Sequence, residues 1–428
     1  MKILFTLFIT AVLVSCGPKS KEKEADKQGT FSGVFTYGNF SDIISFEVQR
    51  DSADWKVFFT SLEQNAVRIP ARQVEINEDS INFVLQSDRY TYSFKNKWTT
   101  NFDELSGTLL VDTLKTKYAL KRDSKNNGNG LTAEEKIFIS NGLQIGGTLW
   151  QPAQSNGEAM VFISSSGGAD RSASRAEAIH FSKIGYTTFH YDKRGTGVSE
   201  GNWQAATMEE LLSDDIHAIQ YFSERTSIPL SKIGIKGSSQ GSAKIPFILN
   251  DIPELKYGIV VSCPGSTLLE SDLNYWKNRN HQVFGEDFES AAELQGKVFE
   301  HIAGKISRKD LEKALKSKKN ESWSVDIWVP NLDEVEVDKK LLYSPVPHFQ
   351  KTQQPLLIIQ GTADEIIPVN SHKIIVEALE EAQNDRYEIL LLKDANHAVN
   401  YVGQRDFPYW SKLHPEYLPS VERWLKAR

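Results

Sequence analysis

The sequence predicts an α/β fold in two parts: a small antiparallel β-barrel or sandwich, then a doubly wound, mostly parallel sheet carrying a helical cap. Three observations predict it. Residues 31–124 alternate apolar and polar positions with a period of two, punctuated by Asn, Asp, Gly and Ser. From residue 131 the pattern changes to short, nearly continuous apolar runs separated by amphipathic helical stretches. The residues with chemical potential then fall just beyond the carboxyl ends of those runs, where a doubly wound sheet opens its cleft.

Composition frames this reading. The 428 residues are 40% hydrophobic and 25% charged, which suits about two globular domains. A net charge of −7, with no basic stripe and no interleaved aromatics, argues against a nucleic-acid partner. There are two cysteines, Cys16 and Cys263, so no disulfide framework and no Cys/His metal spacing is expected. Cys263 ends the apolar run Ile259–Ser262 and reads as a buried core thiol.

Residues 1–16 form a targeting segment, with Lys2 as the n-region and Ile3 to Val14 as an apolar stretch too short to span a bilayer comfortably. Its end, Leu13-Val14-Ser15-Cys16, resembles a bacterial lipobox, which implies cleavage before Cys16 and lipidation of that residue. The alternative is a plain secretory leader. Residues 17–30 are charged and apolar-poor, a solvated tether. The expected location is the bacterial cell envelope, facing periplasm or exterior, with membrane contact through the lipid anchor only.

In residues 31–124 about eight strands are expected and hardly any helix. A closed barrel of that size could hold a small ligand, but a packed structural module is the simpler expectation. Residues 123–130, rich in Asn and Gly, mark the boundary.

The second domain, 131–428, opens with an antiparallel pair over Lys136–Ile139 and Leu143–Trp150. Strands follow over Ala159–Ile163, Tyr186–Tyr191, Ile233–Ile235, Tyr257–Ser262, Leu356–Gln360 and Tyr387–Leu392. Helices are expected over Ser172–Ile184, Met208–Glu224 and Ser242–Asn250. Between about 264 and 350 the alternation stops, and helices over Leu268–Lys277, Phe288–Ala303 and Lys309–Lys316, with Trp276, Trp323 and Trp328, read as a cap insertion.

Gly237-Ser238-Ser239-Gln240-Gly241 lies between strand and helix. A serine on so sharp a turn projects into the cleft, and small neighbours are needed for the bend. The register selects Ser239. A Gly/Ser-rich turn without chemistry would look the same in isolation, so the reading depends on partners. Gly361-Thr-Ala-Asp364-Glu-Ile-Ile-Pro368 follows one strand, and Asp394-Ala-Asn-His397 follows the next. Tyr191-Asp192-Lys193-Arg194-Gly195-Thr196-Gly197-Val198-Ser199 follows another.

With these segments in this order, residues 131–428 resemble the α/β-hydrolase superfamily, in its serine-esterase and peptidase branch (dienelactone-hydrolase-like or acyl-peptidase-like). The resemblance implies a triad of Ser239, Asp364 and His397. Neutral His397 would take the serine proton, and Asp364 would fix its tautomer. His348, His372 and His414 are rivals for the base, and Glu365 and Asp394 for the acid; Asp364 best fits the loop position. The backbone N–H of Gln240 is one oxyanion donor. Ser164-Ser-Ser-Gly-Gly-Ala-Asp170-Arg171 resembles the family's His-Gly-Ser-Gly-Pro-x-Asp-Arg loop, and so names the N–H of Ser166 as the second, with Gly167 as the alternative. Here Ser164 and Ser165 replace His-Gly. Asp170, Arg171, Asp192 and Arg194 read as ion pairs that brace loops.

The implied activity is hydrolysis of carboxylic esters, short acyl chains favoured, through an acyl-serine, with no metal and no organic cofactor. One alternative is a serine peptidase or amidase on short peptides, with Glu270, Asp272, Glu286 and Asp287 available in the cap to hold an amino terminus. Another is a non-catalytic binding lipoprotein on a hydrolase scaffold.

Overall fold

The computed structural model describes residues 27–51, 54–87, 89–123, 130–404 and 407–428. Cys16 lies outside the described residues. The chain divides into two compact units. One holds the strands up to residue 126, and the other holds residues 127–428 together with the short pieces 38–40 and 61–67.

The first unit carries β1 (Gly29–Tyr37), β2 (Phe40–Asp51), β3 (Asp54–Ser61), β4 (Ala66–Pro70), β5 (Arg72–Ile76), β6 (Ser80–Gln86), β7 (Thr91–Trp98), β8 (Glu104–Val111) and β9 (Leu114–Arg122). They form one sheet in the order β4-β3-β2-β1-β9-β8-β7-β6-β5. The two edge strands, β4 and β5, are separated in sequence by Ala71 alone, so the sheet must curl round until its edges meet, as a near-barrel. β4 goes beyond the expected strands. Its five residues include Pro70 and an Arg68 with φ of 54°, which hide it from a propensity reading.

Alternation decides which side chains fill this unit. Ile44, Phe46 and Val48 of β2, Ile81, Phe83 and Leu85 of β6, and Tyr92, Phe94 and Trp98 of β7 are buried. Phe46 meets Phe83 edge-on at 4.9 Å and Phe94 at 5.2 Å. The inward polar pair is satisfied: Tyr118 donates its hydroxyl proton to Asn96 Oδ1, and Asn96 Nδ2 donates to Ile81 O at 2.9 Å. Gly107 makes room for this pair, since a Cβ there would stand 2.4 Å from the Tyr118 oxygen. Side chains fill the interior, in keeping with a packed module.

The second unit carries β10 (Thr132–Ser140), β11 (Leu143–Gln151), β12 (Ala159–Ile163), β13 (Thr187–Tyr191), β14 (Ile233–Ser238), β15 (Tyr257–Val261), β16 (Leu356–Gly361) and β17 (Tyr387–Leu392). Its sheet order is β10-β11-β13-β12-β14-β15-β16-β17. β10, β11 and β13 are joined by antiparallel ladders, and every ladder from β13 through β12 to β17 is parallel. The helices are α1 (Ser172–Lys183), α2 (Met208–Thr226), α3 (Gln240–Asp251), α4 (Leu268–Phe284), α5 (Phe288–Ile302), α6 (Arg308–Ser317), α7 (Val346–Phe349), α8 (Ser371–Glu381) and α9 (Tyr417–Lys426).

The inner strands β12 to β16 are buried on both faces, whereas the edge strand β17 leaves Ile389 and Leu391 exposed, and period two sorts the buried side chains. Val161, Ile235, Val260 and Ile358 join Leu212, Phe222, Ile248 and Leu379, from α2, α3 and α8, in one core. Met160, Phe162, Ile259 and Leu357 join Phe181 of α1 and Trp424 of α9 in the other. Each fully buried Phe or Leu contributes roughly 1.5–3 kcal/mol. β12 has β13 on one side and β14 on the other, so the chain reverses direction across the sheet at β12. A cleft opens at the carboxyl ends of strands flanking such a reversal.

Local signals set the helix starts. Thr207 and Glu210 form a reciprocal capping box at α2, and Thr267 and Glu270 form another at α4. Helices α4, α5 and α6 have a core of their own containing Trp276, Phe284, Val298, Leu311 and Trp323, whereas Trp328 is half exposed. Asn274 and Asn278 of α4 donate to Ile366 O at 3.0 Å and Glu365 O at 2.8 Å, which ties the cap to the loop after β16.

Candidate active site

Ser239 sits between β14 and α3 with φ 53° and ψ −126°, a conformation that costs an ordinary residue about 1–3 kcal/mol. Packing enforces it. A Cβ on Gly237 would stand 2.5 Å from Gly241 O, and one on Gly241 would stand 2.8 Å from Ile163 O. Both glycines of the motif are therefore required by close backbone approach. Ser239 N–H donates to Val261 O at 2.9 Å, and Ser242 Oγ donates to Ser239 O at 2.5 Å.

Asp364 and His397 come together from loops 33 residues apart. His397 Nδ1 lies 3.0 Å from each carboxylate oxygen of Asp364. A carboxylate only accepts, so Nδ1 is the donor to Asp364, and in the neutral ring this tautomer puts the lone pair on Nε2. Asp364 is itself oriented, since Oδ1 accepts from the N–H groups of Ile366 and Ile367, each at 2.9 Å. Its side chain is 1% exposed, and that of His397 is 16% exposed. The two loops interlock: Ala363 N–H donates to Ala395 O at 2.9 Å, and a Cβ on Gly361 would stand 2.1 Å from the same oxygen.

The serine and histidine loops share an anchor at the end of β15. Val261 O receives the Ser239 N–H, and the next residue, Ser262, donates its hydroxyl proton to His397 O at 2.8 Å. Ser262 has φ 49° and is fully buried.

The rival residues have other partners. Glu365 Oε2 accepts the backbone N–H of His397 at 3.4 Å, so it steadies the loop. Asp394 occupies a left-handed turn position, and its N–H donates to Thr362 Oγ1. His372 Nδ1 is 3.1 Å from Gln360 Oε1, His348 stacks on Tyr343, and His414 meets Tyr401 edge-on. Burial lowers the pKa of both His348 and His372.

Two backbone donors lie just beyond the carboxyl ends of β12 and β14. Neither Gln240 N–H, at the first position of α3, nor Ser166 N–H, after β12, has an acceptor among the described residues. Gly241 packed against Ile163 and Ser164 keeps the two segments side by side. The surrounding ion pairs are braces. Arg171 donates to Asp192 at 2.7 Å, and Asp192 also accepts the N–H groups of Arg171 and Val198, both at 2.9 Å. Arg194 donates to Asp214 at 2.6 Å.

Several residues of the site carried no signal in the sequence. Lys244, inside α3, is fully buried and paired with Asp215 of α2 at 2.6 Å. Tyr191 OH donates to Asp215 at 2.5 Å, and Ser164 Oγ joins the group through Lys244 at 3.2 Å. Lys236 of β14 is paired with Glu177 of α1, which also accepts from Tyr417 OH at 2.5 Å. His190 is buried beneath the loop after β12: Nδ1 donates to Arg171 O at 2.8 Å, and Nε2 accepts from Trp150 Nε1 at 3.0 Å. Burial lowers its pKa to about 3. Cys263 is buried, as expected, and burial pushes its thiol up to about 12. Among the described residues no group of three or more His, Cys, Asp or Glu is placed to hold a metal ion.

Residues 157–400, more than half of the 428, match the family described as serine aminopeptidase, S33. The chain belongs to this S33 hydrolase family. The matched segment runs from just before β12 to just after His397, so it includes the loops that carry Ser239, Asp364 and His397. An uncharacterized 31.7 kDa protein from the traX-finO intergenic region of Escherichia coli is 22% identical over 226 residues, covering 52% of this chain and 77% of its own. Among solved structures, an esterase from Pyrococcus furiosus is 15% identical, covering 71% of this chain and 94% of its own at a TM-score of 0.44. An alpha/beta hydrolase from Penicillium sp. is 16% identical, covering 69% and 97% at a TM-score of 0.45.

Proposed function

We propose that the second unit hydrolyses carboxylic esters through an acyl-serine intermediate. The observation that carries this reading is the Asp364–His397 pair, with both carboxylate oxygens 3.0 Å from Nδ1. Ser239 Oγ attacks the carbonyl carbon while His397 Nε2 takes its proton. Asp364 stabilises the imidazolium. The oxyanion is held by the N–H groups of Gln240 and Ser166. His397 then protonates the departing alcohol, a water attacks the acyl-serine with His397 again as base, and the carboxylic acid leaves.

A second reading, an aminopeptidase on short peptides, is favoured by a cavity of about 1130 Å³ with Glu209, Glu334 and Glu336 on its wall, beside Lys339 and an Asp338 already paired with Lys340 at 3.0 Å. Trp203 also lines it, and the same indole lies 3.7 Å from where Gly168 would carry a Cβ, so the cavity adjoins the loop after β12. Acids on that rim could receive an α-ammonium group. Of the cap acids, Glu270 is engaged in the α4 capping box.

The test is a panel of p-nitrophenyl esters of rising acyl length, with aminoacyl amides bearing free or blocked amines. Ser239→Ala should abolish turnover, and Asp364→Asn should lower kcat by about 10⁴-fold. Undiminished turnover by the Ser239→Ala protein would refute the serine mechanism. A strict requirement for a free amine would select the aminopeptidase reading.

A further inference from the structure

Lys193 lies between two residues that form ion pairs, yet its own ammonium serves a different purpose. It is 3% exposed. Nζ donates to Ser165 O at 2.9 Å and to Gly167 O, and it stands 4.6 Å from the Trp203 ring centroid. Gly167, with φ 69°, lets two carbonyls two residues apart converge on one cation. No carboxylate forms an ion pair with Lys193 among the described residues. The charged groups facing it are Lys244 of α3, Asp215 of α2 (already paired with Lys244) and Lys340. Lys340 Nζ in turn donates to Gln204 O and Ala206 O.

The carbonyl of Ser165 and the N–H of Ser166 belong to one planar trans peptide and point in opposite directions. Holding the oxygen therefore aims the hydrogen. We infer that Lys193 is a positioning residue for the oxyanion site, its ammonium clamping the Ser165–Ser166 peptide so that the Ser166 N–H faces the carbonyl under attack. This rests on the hydrolase reading above and deepens it. It also explains how the loop keeps its shape with Ser164 and Ser165 in place of the family's His-Gly: the conformation is set from outside the loop, by a cation on the turn after β13. Burial, together with the charges of Lys244 and Lys340, lowers the pKa of Lys193 to about 8, against the opposing pull of Asp215. The clamp should therefore weaken in mildly alkaline solution.

The test compares wild type, Lys193→Met, Lys193→Gln and Ser239→Ala, with active sites counted by fluorophosphonate labelling taken to completion. Per labelled site, Lys193→Met should lose about 10- to 100-fold in kcat with KM within about threefold, since a misaimed oxyanion donor costs transition-state stabilisation. Lys193→Gln, which keeps a neutral donor, should fall between wild type and Lys193→Met. The wild-type kcat should decline above about pH 8, and both variants should lack that limb. A kcat per site within about twofold of wild type in the Met variant, or in the Gln variant should the former not fold, would reduce Lys193 to a structural brace and overturn the inference. Persistence of turnover in Ser239→Ala would instead overturn the hydrolase reading, so the two failures are told apart.

Discussion

The aromatic core of the nine-stranded sheet and the cleft end of the eight-stranded sheet bury different kinds of polar group. Inside the nine-stranded sheet the Tyr118–Asn96 pair is neutral, closed on Ile81 O and surrounded by phenylalanines. In the eight-stranded unit, Lys244–Asp215, Lys236–Glu177, Arg171–Asp192 and Arg194–Asp214 are all buried or nearly so. A buried ion pair is a poor way to gain stability, because desolvation offsets its attraction. Each pair, however, involves a residue on a strand, loop or helix that adjoins Ser239 or the loop after β12. The second unit thus sets charge pairs around the loops of its cleft, where the centre of the first is closed by a neutral pair.

The most damaging change should be Lys244→Met, which leaves Asp215 buried and unpaired and should cost about 3–5 kcal/mol in denaturant unfolding. Adding Asp215→Leu should recover most of that stability while turnover stays low, because Ser164 and Tyr191 lose their shared partner. Full recovery of activity in the double variant would break the comparison. In the first unit, Tyr118→Phe leaves one Asn96 acceptor unmet and should cost about 1–3 kcal/mol, with ester turnover unchanged. Loss of turnover there would assign the first unit a share in the chemistry.

The smallest effect concerns acid. An unfolded histidine takes up its proton near its ordinary 6.5, whereas folded His190 does so only at about 3. Between those values the unfolded chain binds the extra proton, so stability falls as pH drops through that window. His190→Gln should flatten the dependence of Tm on pH between 6.5 and 4; an unaltered slope would assign the acid sensitivity to other groups.

How much could be read beforehand follows from the range of each interaction. Gly237, Ser239 and Gly241 announce themselves because one tight turn imposes residue types on five consecutive positions. Asp364 and His397 were legible because each follows an apolar strand at once. β12, β15 and β16 were legible because burial on both faces leaves unbroken apolar runs. β4 was not, since Arg68 and Pro70 hold it by context. Lys244 and Asp215 were also invisible, since a charged residue on a helix reads as solvated until its partner on another helix is known. Ser262 meets His397 across 135 residues and has no local pattern to betray it. Lys193 lay within a recognised motif, yet its role depends on two carbonyls of a different loop.

The hydroxyl of Ser262 suspends the carbonyl of His397 from the end of a strand that also receives the amide of Ser239. The loops that carry Ser239 and His397 are thus both tied to one post rather than held only along their own length. The stretch beyond His397 closes on the same loop, with Asn400 O accepting from Asn396 N–H at 2.9 Å and Asp394 O from Val402 N–H at 2.7 Å, so a change of length there should displace the imidazole along with it.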